Sequence, residues 1–278
     1  MPVQRGEVST DGVLTGVRVI TFDFGNTLLP VDRAGLRRVV ELTADEVVAR
    51  LGPFDRTAFL DAWAEERDRQ FAEEVPQFRE VDLEQRFVRV LARLRGMPAP
   101  PRSERWDDRE AGRLSERGEL GWAVETYSRS FVEAMPVPGS VEPLLAAFRG
   151  RGYRLAILSN WPLAATVDRY ADAAGWASLF AAIVVSQRVG TIKPHPTIFR
   201  AAETALGLGE ADRSSILHVG DDWAADVVGA KQAGWRAAWL RVRPEDSPLP
   251  SSEPGDGPDG IVPDLELDDL ARLAEALA

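Results

Sequence analysis

The stretch VITFDFGNTLL, residues 19–29, decides how this chain folds. Its first residues are β-branched or aromatic, and the chain turns at Gly25 and Asn26, as it does after a short buried strand. The pattern predicts a strand over residues 17–22. That strand ends on the carboxylate of Asp23, which is where α/β proteins often place reactive groups.

Beyond the middle of the chain, short apolar runs alternate with amphipathic segments. The predicted strands are YRLAILS (153–159), FAAIVVS (180–186), SILHVG (215–220) and WRAAWL (235–240). The predicted helices are VEPLLAAFRGRG (141–152), LAATVDRYADAAG (163–175), PTIFRAAETALG (196–207) and AADVVGAKQAG (224–234). Strands that alternate with helices pair in parallel through right-handed crossovers. The sequence therefore predicts an α/β fold with a three-layer, Rossmann-like parallel sheet core.

A helical block interrupts this pattern just after the first strand. From Asp32 to about Met135 apolar residues recur at three- and four-residue spacing, with charges between them, which is typical of amphipathic helices. We interpret residues 31–136 as an inserted all-helical cap domain. The catalytic core is then formed by residues 1–30 and 137–278.

Two polar, proline-containing segments are predicted to be surface loops. One is MPAPPRSERWDD (97–108), inside the helical block, and the other covers residues 241–260. A last short strand is predicted at GIVPD (260–264), followed by a terminal helix.

Composition excludes several classes of protein. The chain has 278 residues, a net charge of −11 and no cysteine. An acidic surface repels nucleic acid and anionic lipids, so neither is expected as a partner. Disulfides and thiolate metal sites are excluded, and no apolar run is long enough for a membrane span. We expect a cytoplasmic protein that is a monomer or a homodimer.

Polar residues collect at the carboxyl ends of the predicted strands, where open α/β sheets bind their ligands. They are Asp23, Ser159, Asn160, Lys193, Asp221 and Asp222. Carboxylates from two loops can hold Mg²⁺ together with a phosphate oxygen. A carboxylate oxygen of Asp23 could then attack phosphorus, while Ser159 and Lys193 hold the other phosphoryl oxygens.

Four segments, in order, resemble the motifs of the haloacid dehalogenase-like hydrolases: FDFGNTL, LAILSN, GTIKPHPTIF and HVGDDWAADVVGAKQAGW, over residues 19–235. The helical block resembles the cap that many members insert after the first motif. The resemblance implies a Mg²⁺-dependent phosphatase that acts on a small phosphorylated metabolite. It implies an aspartyl-phosphate on Asp23 as the intermediate.

The resemblance also implies a role for each matching residue. Asp23 is the nucleophile, and Lys193 and Ser159 complete the catalytic set. The implied substrate-binding residues are Ser159, Asn160, Asn26 and Lys193. The implied metal ligands are Asp23, the carbonyl of Gly25, Asp221 and Asp226.

Gly25 departs from the family pattern. Related phosphatases usually carry a second aspartate there, which protonates the leaving alcohol and then activates water. Positioned acid–base help is worth about 10²–10⁴-fold in rate. Three explanations stay open: a cap side chain or a water replaces the acid, the leaving group needs little protonation, or the protein hydrolyses poorly.

Several neighbouring residues have a simpler interpretation. We interpret Asp222 as a helix cap, His218 as a core residue, and Trp161 and Trp223 as packing residues. Arg79 or Glu80, where the helical rhythm of the cap is interrupted, could reach the substrate.

Two other functions are kept as alternatives. One is a metal-independent 2-haloacid dehalogenase, in which the same carboxylate displaces halide from carbon. The other is a catalytically weak protein that binds a phosphorylated ligand.

Overall fold

The fold is built on a sheet of six parallel strands in the order β3-β2-β1-β4-β5-β6. The computed structural model describes residues 14–98, 118–256, 258 and 260–277. The strands are β1 (Val19–Phe22), β2 (Arg154–Ser159), β3 (Phe180–Val185), β4 (Ile216–Gly220), β5 (Arg236–Leu240) and β6 (Leu265–Leu267). This arrangement confirms the predicted α/β fold class.

The strand order reverses beside β1. Chain order runs outward from β1 through β2 to β3 on one side and resumes at β4 on the other. Val19 pairs with Arg154 of β2 and with Ile216 of β4, so β1 lies between them. Such a reversal opens a crevice at the carboxyl ends of the strands. The residues that follow β1 and β4 therefore share this crevice.

The helices fall into two groups along the chain. Between β1 and β2 lie α1 (Arg33–Leu51), α2 (Arg56–Glu74), α3 (Leu83–Leu94), α4 (Glu119–Ala134) and α5 (Val141–Gly150). The later helices are α6 (Ala164–Ala173), α7 (Ser186–Val189), α8 (Pro196–Ala205), α9 (Gly229–Gln232) and α10 (Leu273–Ala276). A π-helical turn, Trp223–Val228, leads directly into α9.

Alternating side chains divide the core between the two faces of the sheet. In β1, Ile20 and Phe22 join an apolar cluster that includes Phe148 of α5, whereas Val19 joins a second cluster with Phe199 of α8. The other central strands alternate in the same way. Helices thus cover both faces, which gives the three layers that the sequence predicts.

Aspartates begin the first helices of the helical block. The carboxylate of Asp32 accepts from the amide of Gly35 at the start of α1. Asp55 and Asp82 cap α2 and α3 in the same way, each at 2.8 Å. These bonds satisfy amides that have no partner inside the helix. The division into a core and a cap domain at residues 31 and 136 remains a prediction.

One apolar cluster continues from the sheet into the helical block. Phe22 of the sheet and Phe87 and Tyr127 of the helices belong to it. The inserted helices therefore share a core with one face of the sheet.

The C-terminal region differs from its prediction. The last strand is Leu265–Leu267 rather than residues 260–264. Pro263 lacks the amide hydrogen that pairing needs, and the carboxylate of Asp264 accepts from the amide of Ala237 at 2.8 Å. Most of the predicted loop 97–108 lies outside the described residues.

None of the helices in the described ranges has the length and apolar character needed to cross a membrane.

We expect the Phe148→Ala variant to lose about 3–5 kcal/mol of unfolding free energy, because the change leaves a cavity in the core. Phe148 is fully buried, with its ring centroid 6.3 Å from that of Phe22. Urea denaturation would measure the loss. Phe71→Ala, at a residue that is 39% exposed, should cost clearly less, because less of its apolar area is buried on folding. Equal losses in both variants would contradict the assignment of Phe148 to the core.

Candidate active site

Three buried carboxylates meet at the carboxyl edge of the sheet. Asp23 follows β1, and its amide donates to the carbonyl of Val219 in β4 at 2.8 Å. Asp221 follows β4, and Asp226 lies in the π-helical turn. One oxygen from each carboxylate lies within 4.8 Å of the others. The strand reversal thus brings together three of the predicted site residues.

Lys193 lies between two of these carboxylates. Its Nζ donates to Asp23 Oδ1 at 2.7 Å, to Asp226 Oδ1 at 2.6 Å and to the carbonyl of Leu158 at 2.9 Å. Its side chain is buried. All three protons of the ammonium are therefore engaged, and its charge faces the nucleophile candidate directly.

Asn160 fixes the backbone at Lys193. Its side-chain oxygen accepts from the amide of Lys193 at 2.7 Å, and its side-chain nitrogen donates to the carbonyl of Lys193 at 3.1 Å. In this structure the residue predicted to bind substrate links the end of β2 to the lysine segment.

Asp226 is held by several donors. His218 Nε2 lies 3.0 Å from its Oδ1, and the amide of Asp222 donates to its Oδ2 at 3.0 Å. His218 Nδ1 lies 2.8 Å from the hydroxyl of Thr21, so both ring nitrogens are engaged inside the core. Gly220 makes room for this arrangement, because a Cβ there would lie 2.1 Å from Asp226 Cγ. Position 220 therefore requires glycine.

Two buried hydroxyls at the same edge lack partners. Ser159 Oγ and Thr27 Oγ1 are inaccessible and make no hydrogen bond within the described part of the chain. A buried donor without a partner costs about 1–3 kcal/mol. A ligand that carries several acceptor oxygens would satisfy such hydroxyls.

Negative charge exceeds positive charge in the site. Burial raises the pKa of Asp23, although Lys193 opposes this shift. Burial, together with the charges of Asp23 and Asp226, raises the pKa of Asp221 to about 8. For Asp226, burial alone would raise the pKa, but Lys193 and His218 hold it well below its usual range. A cation beside Asp221 would relieve the remaining repulsion.

The segment after β5 borders the site, which the sequence does not predict. Arg243 Nη1 lies 3.4 Å from Asp221 Oδ2. Asn26 Nδ2 donates to Ser247 Oγ at 3.1 Å and lies 3.4 Å from Asp221 Oδ2. The segment carries no recognisable motif, so only its position in the fold shows that it borders the site.

The packing residues lie beside the site. Trp161 meets the ring of Phe24 edge-on at 5.2 Å, and Trp223 meets Trp239 at 5.1 Å. The carboxylate of Asp222 accepts from the amide of Ala225 at 2.7 Å, so this residue caps the helical turn.

Glu80 joins the helical block to the sheet. Its carboxylate accepts from the hydroxyl of Ser186 and from the amide of Val81. Burial raises the pKa of Glu80 to about 7. The neighbouring Arg79 pairs with Glu74 at 2.8 Å, at the surface. Of the two cap candidates, Glu80 is therefore the one that points inward.

Comparison with known proteins gives a consistent picture. The model of the haloacid dehalogenase-like hydrolase family matches residues 17–234. The chain is 33% identical over 275 residues to a phosphoserine phosphatase of Thermus thermophilus, covering 94% of this chain and 100% of that protein. It is 31% identical over 185 residues to the pyrimidine 5'-nucleotidase YjjG of Escherichia coli, covering 63% and 69%.

A solved structure is also similar. A 2-haloacid dehalogenase from Pseudomonas syringae pv. tomato superposes with a TM-score of 0.63 at 25% identity, covering 94% of this chain and 97% of that one. Both phosphatases and a dehalogenase are thus among the similar proteins.

Glu80→Gln should change how stability depends on pH. Burial raises the folded-state pKa of Glu80 to about 7, above the ordinary value of 4.5 that it has in the unfolded chain. The stability that Glu80 contributes is therefore complete below pH 4.5 and is lost as the pH rises through 7. The variant should therefore gain up to about 3 kcal/mol relative to the wild type between pH 4.5 and pH 8. Urea denaturation at both pH values measures this difference. The exposed Glu133→Gln is the control, and parallel pH profiles for Glu80→Gln and wild type would contradict the expectation.

Proposed function

We propose that this chain, which belongs to the haloacid dehalogenase-like hydrolases, is a Mg²⁺-dependent phosphatase of small phosphorylated metabolites. The observation that carries the proposal is that Lys193 pairs with Asp23 and Asp226. A third buried carboxylate, Asp221, lies close to both. The 33% identical relative is a phosphoserine phosphatase, which favours phosphorus as the centre attacked.

The residues present fit a divalent cation. Three buried carboxylates lie together, only two of them paired with Lys193, and oxygen ligands of this kind suit Mg²⁺. Asp23, Asp221 and the carbonyl of Gly25 would hold the ion. When bound, Mg²⁺ would supply a positive charge that screens the nucleophile and the phosphoryl oxygens. Since Lys193 and His218 already engage Asp226, we propose that Asp226 mainly holds the lysine, and its metal ligation stays a prediction.

Asp23 would act as the nucleophile through the oxygen that Lys193 leaves free. Lys193 contacts Oδ1 alone, so Oδ2 can attack phosphorus and form an aspartyl-phosphate. The ester bond of the substrate breaks, and its electron pair leaves on the ester oxygen. Lys193 holds the carboxylate in place and offsets the charge that gathers on the phosphoryl group.

Ser159 would bind the phosphoryl group. Its buried hydroxyl has no partner among the described residues, and the residue ends β2, the strand next to β1. A hydrogen bond to a phosphoryl oxygen would satisfy it. Asn160 would contribute indirectly, because it fixes the backbone of Lys193.

A 2-haloacid dehalogenase remains the second candidate, because one similar structure carries that name. Attack on carbon, however, would leave the third buried carboxylate, Asp221, without a role, whereas a bound cation would give it one. Halide release from a 2-haloacid without metal would reverse the ranking.

Asp23→Asn should abolish phosphatase activity, since the amide cannot form the phosphoenzyme. We would assay phosphate release from a panel of phosphate monoesters, with Mg²⁺ and with a chelator. Wild-type activity should depend on Mg²⁺, and the phosphate label should be trapped on Asp23. The exposed Asp61→Asn serves as the control. Phosphate release that survives either chelation or Asp23→Asn would rule out this mechanism.

Asp221→Asn should remove the effect of Mg²⁺ on stability. An ion that binds only the folded state raises the free energy of unfolding by about 2.7 kcal/mol at 100 times its dissociation constant. Thermal unfolding of wild type with and without Mg²⁺ should show the increase, and the variant should show little of it. An equal increase in both proteins would place the ion elsewhere.

A further inference from the structure

The space beside Gly25 is filled by apolar side chains. A Cβ at this position would lie 2.6 Å from Leu249 Cδ1 and 3.1 Å from a ring carbon of Trp161. Cβ atoms essentially never approach another heavy atom within 3.0 Å. Leu249 therefore occupies the place toward which any side chain at position 25 would project.

Hydrogen bonds hold the Leu249 segment against the site. Arg243 Nη2 donates to the carbonyl of Leu249 at 2.8 Å, while its Nη1 lies 3.4 Å from Asp221 Oδ2. Ser247 shares hydrogen bonds with the side chain of Asn26 at 3.1 and 3.2 Å. Ser252 Oγ donates to Asp222 Oδ1 at 2.6 Å. Contacts on both sides of Leu249 thus fix it over Gly25.

A water molecule would find little to bind at this place. An ordered water needs two to four polar partners. Here the heavy atoms nearest to the Cβ position belong to Leu249 and Trp161, and the Trp161 ring packs against Phe24 and Phe131, with centroids at 5.2 and 5.5 Å. The space beside Gly25 therefore favours neither a carboxylic acid nor a water that would replace one.

Three acids near the site, in the part of the chain that the structure describes, are engaged elsewhere. Asp226 holds Lys193, and Asp222 caps the helical turn. Glu80 is bound by the hydroxyl of Ser186 and the amide of Val81, at the edge of the sheet beyond β2.

We propose that none of the described side chains protonates the leaving group, and that the substrates are phosphate compounds whose leaving group departs as a stable anion: aryl, enol or acyl phosphates. This inference rests on the proposed function. In the first step Asp23 Oδ2 bonds to phosphorus, and the leaving oxygen departs with the electron pair of the broken bond, taking its proton later from solvent. In the second step water attacks phosphorus, Asp23 is released as a carboxylate, and the protons of water pass to phosphate and solvent.

The wild-type protein allows a direct test through leaving-group dependence. With saturating Mg²⁺ we would measure kcat/KM for substituted phenyl phosphates and for O-phosphoserine, an alkyl phosphate. We expect kcat/KM to fall steeply as the pKa of the leaving phenol rises. The alkyl ester should be slower than the best aryl ester by at least about 10²–10⁴-fold, the factor that proton donation would supply.

The kinetics should also show a common second step. Because none of the side chains in the described ranges is positioned as a base for water, loss of phosphate from Asp23 should limit kcat for the reactive esters. We expect one kcat for all of them and a rapid burst of phenol equal to the enzyme concentration.

Other outcomes separate this inference from the proposed function. A flat aryl series, or O-phosphoserine as fast as the aryl esters, overturns the inference but leaves the phosphatase. A series that becomes steeper in Glu80→Gln also overturns it, because Glu80 would then be the proton donor. Absence of phosphate release from every ester refutes the proposed function itself.

A pair of variants tests the role of Leu249. Leu249→Ala should open the space without supplying an acid, so the ratio of aryl to alkyl rates stays high. The double variant Gly25→Asp/Leu249→Ala supplies both the space and the acid. Its ratio of aryl to alkyl rates should fall toward 10⁰–10¹, about 10²-fold or more below that of Leu249→Ala alone. Circular dichroism and thermal unfolding confirm folding. An unchanged ratio in a folded double variant contradicts the assignment, and if this variant does not fold, the wild-type series decides.

Discussion

The site depends on one buried ammonium. Lys193 donates to the carboxylates of Asp23 and Asp226, which come after β1 and β4, and to the carbonyl of Leu158 in β2. Burying one such charge without partners would cost several kcal/mol, and the cost is offset only when hydrogen bonds surround it. Here each proton of Lys193 has an acceptor. The positions of Asp23 and Asp226 are therefore tied to each other through the lysine, and the candidate site is organised around it.

Charge balance separates the roles of the acidic residues. One ammonium is shared by Asp23 and Asp226 at 2.7 and 2.6 Å, whereas Asp221 lies 3.4 Å from Arg243 Nη1 and 3.4 Å from Asn26 Nδ2. The acid with the longest distances to its partners is thus the one best suited to a cation. The same reasoning favours phosphoryl transfer over dehalogenation among the activities of the similar proteins, since a phosphoryl group brings further negative charge that a cation can share.

The fold and the location of the candidate site were predictable because they follow local patterns. Strand–helix alternation predicted the parallel sheet, and the carboxyl ends of β1, β2 and β4 gave the candidates Asp23, Ser159 and Asp221. The role of Asn160 was not predictable, because its side chain turns to the backbone of Lys193, 33 residues away in sequence. Leu249 and Arg243 were missed for a related reason. They belong to an irregular segment without periodicity, and only tertiary folding brings Leu249 within 2.6 Å of the Cβ position of Gly25.

The turn between α2 and α3 has a mechanical consequence. The carbonyl of Phe78 accepts from the amide of Ile192 at 3.1 Å, and Arg79 forms an antiparallel bridge with Thr191. The helical block is therefore attached to the backbone of Ile192, the residue before the buried Lys193. Displacement of these helices would act on the segment that carries Lys193 and, through the ammonium, on the position of Asp23.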